Sequence, residues 1–188
     1  MRIIAGKHKG RRIELGKDAG DTIRPTSDFA REAIFNILAH GKHGLNGHTF
    51  EDKRVLDVFC GTGAFGLEAL SRGAAEVTFI DHAKEAIATV RHNAERLHET
   101  DNVDFVLADA TRLARTREPY SLIFLDPPYF SKLIAPTLKS LKEGGWIGAD
   151  ALIIVEHDAK ETIDLPEGFS VIDERRYGRA TVELVKLG

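Results

Sequence analysis

From residue 54 onward, short runs of apolar residues alternate with segments whose apolar positions recur at helical spacing. Strands are predicted over residues 55–59, 77–80, 103–107, 122–125 and 152–155. Helices are predicted over 64–71, over a segment that begins near Ala83, and over a short segment that contains Pro136 and ends before Gly144. Two final strands, near 169–175 and 180–186, read as a terminal hairpin.

Nearly continuous apolar strands separated by helices are typical of a parallel sheet that is covered on both faces. The sequence therefore predicts a doubly wound α/β fold, with a mostly parallel sheet and an antiparallel C-terminal hairpin. Ligands of such folds bind at the carboxyl ends of the strands.

The N-terminal segment has a different pattern. Two short strands, near 2–5 and 11–15, flank a turn that contains Gly6 and Gly10. A helix is expected to begin after residue 28 and to extend to about 39, and residues 40–53 read as a linker. We expect residues 1–25 to form a small β-hairpin arm with its following loop, and residues 26–188 to form the main domain.

Composition excludes several classes of protein. The chain has 188 residues, of which 43% are hydrophobic and 29% are charged, as in ordinary globular domains. It contains no apolar run near the ~20 residues of a membrane helix. The single cysteine, Cys60, cannot form an internal disulfide, and no His or Cys spacing suggests a metal site. These features predict a cytoplasmic protein without metal or membrane contact, in which Cys60 is a small buried filler. We expect a monomer, although no sequence feature specifies the oligomeric state.

Charge is distributed unevenly along the chain, whose formal net charge is −3. The first twelve residues contain no acid and six basic or titratable side chains: Arg2, Lys7, His8, Lys9, Arg11 and Arg12. A basic arm on an acidic body predicts a local contact with nucleic-acid phosphates. The alternative is a hairpin face that is merely solvated.

A glycine-rich turn follows the first predicted strand. Gly61, Gly63 and Gly66 match the dinucleotide-binding spacing, which is a weak signal alone and also fits a tight structural turn. Asp57 precedes them inside the strand, where its carboxylate can reach an ammonium group. S-adenosylmethionine carries such a group at its amino-acid end, whereas a pyrophosphate does not, so this methyl donor is favoured.

Acidic residues also follow the next two strands. Asp81 ends the second strand and is placed to accept the hydroxyls of a ribose. Asp109 follows the third strand and is placed to accept the adenine amino group. Both fit NAD as well as S-adenosylmethionine. An oxidoreductase, however, needs a substrate domain and a catalytic His or Lys constellation, and the sequence shows neither.

The segment Asp126-Pro127-Pro128-Tyr129 follows the fourth strand and is the discriminating motif. Two prolines fix two φ angles, so the Asp126 carboxylate and the Pro127 carbonyl form a rigid pair of acceptors. Such a pair can bond both hydrogens of an exocyclic base amine and turn its lone pair toward the methyl group. Tyr129 is placed to stack on an extruded base. The motif therefore predicts amino-group methylation of a nucleic acid.

These motifs, taken in order, resemble a class I methyltransferase, and the rest of the chain resembles the RsmD family in particular. The resembling segments are Arg2-Ile3-Ile4-Ala5-Gly6, Gly10-Arg11-Arg12, Arg24-Pro25-Thr26-Ser27-Asp28, Arg31-Glu32, Phe35-Asn36 and 66–74. Members of that family methylate N2 of guanine 966 in 16S rRNA of the small ribosomal subunit.

The resemblance implies S-adenosylmethionine as donor and 16S rRNA as substrate, within an assembly intermediate of the small subunit. It implies that the basic hairpin holds RNA and that the loop around Arg24 and Thr26 borders the active site and contacts RNA. The predicted donor-binding residues are the four acids Asp57, Asp81, Asp109 and Asp126, the glycines Gly61 and Gly63, and also Phe59, Thr62, His82 and Ala110.

Two alternatives remain open at this stage. The motif also fits an enzyme that methylates adenine or cytosine amines of DNA or of another RNA. A non-catalytic RNA-binding assembly factor would be expected to have lost Asp57, Asp81 or Asp126, and all three are present. Glu156, at the end of the fifth strand, faces the site region without an assigned role.

Overall fold

The computed structural model of the protein describes residues 1–16, 28–40 and 50–188. Seven strands form one sheet: β1 Arg54–Val58, β2 Glu76–Asp81, β3 Val103–Leu107, β4 Tyr120–Leu125, β5 Ile147–Asp158, β6 Phe169–Tyr177 and β7 Ala180–Leu187. Their order is β3-β2-β1-β4-β5-β7-β6. The first five strands are parallel, and β7 pairs antiparallel with both β5 and β6. The predicted fold class, including its antiparallel C-terminal hairpin, is confirmed.

Helices cover both faces of the sheet, as the alternating pattern predicts. They are α1 Asp28–His40, α2 Ala64–Ser71, α3 Lys84–Leu97 and α4 Ile134–Glu143. Apolar residues of α1, α2 and α3 share one core with the sheet, and α4 packs into a second core on the opposite face. A bilayer-spanning length of apolar residues occurs in none of the helices in the described ranges.

The fifth strand extends beyond its predicted range at both ends. The apolar run covers residues 152–155, but β5 continues through Glu156, His157 and Asp158. These three polar residues remain in the strand because β7 pairs with them along its length. Each is buried, with at most 4% of its surface exposed. Apolar periodicity alone cannot detect a strand end whose polar side chains are buried.

The N-terminal arm is a short hairpin docked on the main domain. Arg2 pairs antiparallel with Arg12, and main-chain hydrogen bonds join Ile3 to Arg11 and to Gly10. The predicted strands thus reduce to one bridge, because the amides of Ile4 and Ala5 donate to Glu68 of the main domain and not to the other arm of the hairpin. Arg24 and Thr26, their loop, and most of the predicted linker lie outside the described residues.

Candidate active site

Four neighbouring strands are in register near the carboxyl edge of the sheet. The hydrogen-bonded register runs across β2, β1, β4 and β5 through Ile80, Val58, Leu125 and Val155. The next residues along these strands are Asp81, Phe59, Asp126 and Glu156. Three carboxylates therefore stand in one row at the carboxyl edge, where doubly wound sheets bind their ligands.

The glycine loop lies directly above the end of β1. Gly61 and Gly63 have φ angles of 51° and 75°, in the left-handed region that favours glycine. A Cβ on Gly63 would lie 2.1 Å from a methyl carbon of Val90, so that position also needs glycine for packing. A Cβ on Gly61 would meet no atom closer than 4.0 Å. The loop is thus packed below and open above, as a cradle for a ligand requires.

Asp57 anchors the start of the helix that follows the loop. Its carboxylate is buried and accepts a hydrogen bond of 2.9 Å from the Gly66 amide. Burial raises the pKa of Asp57 well above its ordinary value, and the neighbouring carboxylates of Asp126 and Asp81 raise it further, while the Gly66 amide lowers it. A cationic group above the loop would relieve this unfavourable burial of negative charge.

Asp81 and Asp109 both bond to backbone amides. The Asp81 carboxylate accepts from Gly61 at 3.1 Å and from Ala83 at 2.9 Å, which ties the glycine loop to the end of β2. Asp109 is exposed, and its Oδ1 accepts from the amide and the hydroxyl of Thr111 at 2.9 and 2.7 Å. These bonds lower the pKa of Asp109, which therefore stays ionised. The contacts of Asp81 with a ribose and of Asp109 with adenine remain predictions.

The remaining predicted donor contacts flank these acids. Phe59 leaves β1 with a φ of 62°, so the predicted strand ends one residue earlier, at Val58, because the turn begins there. Thr62, in the glycine loop, and Ala110, in the turn after β3, are both buried. His82 is largely exposed, and its Nδ1 lies 3.4 Å from an oxygen of Asp81. The structure brings all four to the same edge of the sheet.

The motif Asp126-Pro127-Pro128-Tyr129 forms the turn after β4. Pro127 is buried and Pro128 is exposed, while Asp126 and Tyr129 are half-buried. The Tyr129 hydroxyl donates to Glu156 Oε1 at 3.4 Å. Burial, together with the carboxylates of Glu156 and Asp126, raises the pKa of Tyr129, so the phenol keeps its proton.

Two further residues of this site, Arg179 and Asp158, were not detected from the sequence. Arg179 lies with its guanidinium carbon 5.9 Å from the centre of the Tyr129 ring, and its Nε bonds to the buried carboxylate of Asp158. This bond lowers the pKa of Asp158. Phe130, the residue after the motif, is 53% exposed. The only local signal for Arg179 is its place after the turn glycine of the β6–β7 hairpin.

The basic arm is fixed to α2 through its main chain. The buried carboxylate of Glu68 accepts from the amides of Ile4 and Ala5 at 2.7 and 3.0 Å. The Ser71 carbonyl accepts from the amide of Lys7 at 2.8 Å. These contacts join residues more than sixty positions apart, so the arm is part of the folded domain's surface.

Two side chains of the arm that were predicted to contact RNA are held by the domain. Lys7 Nζ and His8 Nε2 lie 2.6 and 2.5 Å from one oxygen of Glu99, whose side chain is 4% exposed. His8 is itself only 15% exposed. Lys7, at 54%, retains a surface toward solvent. RNA contact by His8 would thus require it to leave Glu99, and its role in RNA binding stays a prediction.

The remaining cations of the arm are exposed. Arg2 and Arg11 each donate to a main-chain carbonyl, at 3.0 and 2.7 Å. Lys9 and Arg12 have no ion-pair partner in the part of the chain that the structure describes. These last two are therefore the best placed for phosphate contact.

One buried amide connects the arm to the glycine loop. Asn93 on α3 accepts from the Glu14 amide and donates to the Glu14 carbonyl, at 2.8 and 3.0 Å. The same side-chain nitrogen donates to the Thr62 carbonyl at 3.1 Å. Asn93 is 1% exposed, so these bonds are shielded from water.

Cys60 is buried beside the loop, as expected of a small filler, and burial raises the pKa of its thiol. It is therefore a poor nucleophile. Within residues 1–16, 28–40 and 50–188, no group of three His, Cys, Asp or Glu side chains could hold a metal ion.

Comparisons with known proteins agree with this geometry. The family model described as Conserved hypothetical protein 95 matches residues 1–186. The chain is 36% identical to the YlbH protein of Bacillus subtilis, which covers 89% of this chain and 86% of that relative. It is 33% identical to Ribosomal RNA small subunit methyltransferase D of Escherichia coli, in an alignment that covers 98% of this chain and 88% of that relative.

A solved structure extends this similarity to the fold. The yhhF protein of Escherichia coli superposes with a TM-score of 0.81 at 30% identity, covering 98% of this chain and 96% of that one. The similarity runs nearly end to end, which confirms the resemblance noted from the motifs.

Proposed function

Since this chain belongs to the family described as Conserved hypothetical protein 95, the RsmD family, we propose that it methylates the N2 amine of a guanine in 16S rRNA. The observation that carries the proposal is the row of carboxylates at the sheet edge. Asp81 and the glycine loop stand at one end of the row, and Asp126-Pro127-Pro128-Tyr129 stands next to them. A donor site and an amine-accepting motif thus share one edge.

The residues around the glycine loop fit S-adenosylmethionine. The open space above Gly61 admits the ligand close to the backbone. The buried Asp57 carboxylate offers a partner for an ammonium group, and Asp81 offers acceptors for ribose hydroxyls. When bound, the donor supplies a methyl group on a positively charged sulfur.

The chain's own residues then position and deprotonate the amine. The Asp126 carboxylate and the Pro127 carbonyl accept its two hydrogens, which turns the nitrogen lone pair toward the methyl group. The amine gains positive charge as it is methylated, and the Asp126 carboxylate stabilises that charge and takes the proton. Tyr129 remains a neutral phenol and stacks on the base.

The rRNA substrate is supported by the relative from Escherichia coli, whose name specifies the small subunit. The arm supports it independently, since Lys9 and Arg12 are exposed on a hairpin that is docked on α2 through its main chain. We propose an assembly intermediate, RNA with ribosomal proteins, as the form that is methylated.

The test is to incubate the protein with labelled S-adenosylmethionine and either naked 16S rRNA or 30S particles that lack the modification. We expect label at N2 of one guanine, with particles labelled faster than naked RNA. Label on adenine or cytosine would replace the proposal with another amino-methyltransferase. Absence of label on both substrates, with donor binding intact, would favour a non-catalytic assembly factor.

A further inference from the structure

Glu156 lies beside the reacting motif, on the side away from the glycine loop. β5 neighbours β4, and the pair Leu125–Val155 puts Glu156 at the level of Asp126. Neighbouring strands lie about 4.8 Å apart, so Glu156 is one strand beyond the reacting carboxylate. The residue is 2% exposed, and its carboxylate accepts a hydrogen bond from the Tyr129 hydroxyl at 3.4 Å.

The order of the strands determines which part of the substrate meets Glu156. Asp81 and the glycine loop occupy β2 and β1, so the methyl donor lies on that side of Asp126. A base that presents its amine to Asp126 must enter from the other side, toward β5. Stacking on Tyr129 places the base over a ring whose hydroxyl end already contacts Glu156. The ring atoms next to the amine therefore approach the Glu156 carboxylate.

The nucleobases differ in what those ring atoms offer. In guanine, the ring nitrogen N1, next to the amino carbon, carries a hydrogen and is a donor. In adenine and cytosine, the corresponding ring nitrogen carries none and is an acceptor. A carboxylate accepts a hydrogen bond from the first and repels the lone pair of the second. Sites that read flipped bases use this edge.

We propose that Glu156 is the residue that selects guanine, by accepting a hydrogen bond from N1 while Asp126 and Pro127 hold the N2 amine. This inference rests on the proposed function, since it assigns the base specificity of the same site. A purely structural Glu156 would only orient Tyr129. Selection of guanine by Glu156 depends on the hydrogen at N1, whereas orientation of Tyr129 does not, so an experiment can distinguish the two roles.

The test uses 2-aminopurine in place of the target guanine, introduced into 16S rRNA by ligation and assembled into particles. This analogue keeps the amine at the same carbon but has no hydrogen on N1. For the unaltered protein we expect kcat/KM to favour guanine by about ten- to a hundredfold, as for a lost bond to a charged group. In Glu156→Gln, the side-chain amide can donate to the bare N1, so the preference should fall at least about tenfold.

The matched control is Glu161→Gln, since Glu161 accepts from the Phe130 amide at 3.0 Å beside the same motif. It should retain the preference of the unaltered protein. If Glu156→Gln retains it too, the inference is overturned. If that variant turns over neither RNA, the ratio of the two dissociation constants replaces kcat/KM and decides in the same way. Failure of the unaltered protein to methylate guanine would instead refute the proposed function.

Discussion

Replacing Gly6 by alanine should detach the basic arm, whereas the same change at Gly10 should not. The two glycines lie in one hairpin with nearly equal φ angles of 79° and 82°. A Cβ on Gly6 would lie 1.7 Å from the carbonyl oxygen of Ser71, but a Cβ on Gly10 would meet nothing within 4 Å. The pair thus separates backbone strain from steric conflict with α2.

The expected magnitudes follow from these contacts. A left-handed conformation costs a residue with a Cβ about 1–2 kcal/mol, which both variants incur. Forcing a carbon into occupied space adds about 1–3 kcal/mol, and only Gly6→Ala incurs this cost. The conflict is with backbone, so it can be relieved only if the hairpin moves away from Ser71 and loses the two amide bonds to Glu68.

Urea unfolding and RNA binding measure the two consequences. The free energy of unfolding should fall by about 1–3 kcal/mol more in Gly6→Ala than in Gly10→Ala. Affinity for 16S rRNA should fall in Gly6→Ala alone, because the phosphate-contacting cations lose their fixed position. Equal losses of both stability and RNA affinity in the two variants would refute the idea that the Ser71 contact positions the arm.

Three other outcomes are expected. Asp126→Ala should abolish methyl transfer while donor affinity, measured by calorimetry, stays within about tenfold; turnover similar to that of the unaltered protein would exclude the mechanism. Changing both Lys9 and Arg12 to alanine should lower the slope of log affinity against log salt concentration by about 1.4–1.8. The control variant Arg176→Ala should leave this slope unchanged. An unaltered slope in the double variant would count against phosphate contact by the two cations. Asp57→Asn should raise the melting temperature at neutral pH and abolish donor binding. Because burial raises the pKa of Asp57, the unfolded chain loses this proton first, so the ionised group opposes folding as pH rises above its ordinary value of 3.8; a stability difference that does not shrink toward pH 3.8 would contradict this assignment.

Much of the sheet was predictable because its strands are buried on both faces. Apolar runs marked β1 to β4, and the acids that follow them marked the functional edge. An apolar run does not show where β5 ends, because the run stops at Val155 whereas the strand continues to Asp158. Its last residues pair with β7, and the buried carboxylate of Asp158 accepts a hydrogen bond from Arg179, 21 positions away. No local pattern encodes that pairing.

In the N-terminal arm, too, the sequence predicted a general feature but not its long-range contacts. Its charge and its turn glycines indicated a basic hairpin, but the sequence did not show which cations are available. His8 meets Glu99, 91 residues later, and this contact depends on how α3 packs across the sheet. Composition therefore identified the surface, whereas only the tertiary structure separates Lys9 and Arg12 from their neighbours.

The three hydrogen bonds of Asn93 bear on how this enzyme could be re-engineered. One side chain fastens the segment after the hairpin, at Glu14, and the glycine loop, at Thr62. All three bonds are to main-chain atoms, so a hairpin transplanted from a relative with a different substrate keeps them only if its backbone follows the same path at position 14. In a chimera whose hairpin departs from that path, Asn93 would lose its partners there, and donor affinity would change along with RNA choice.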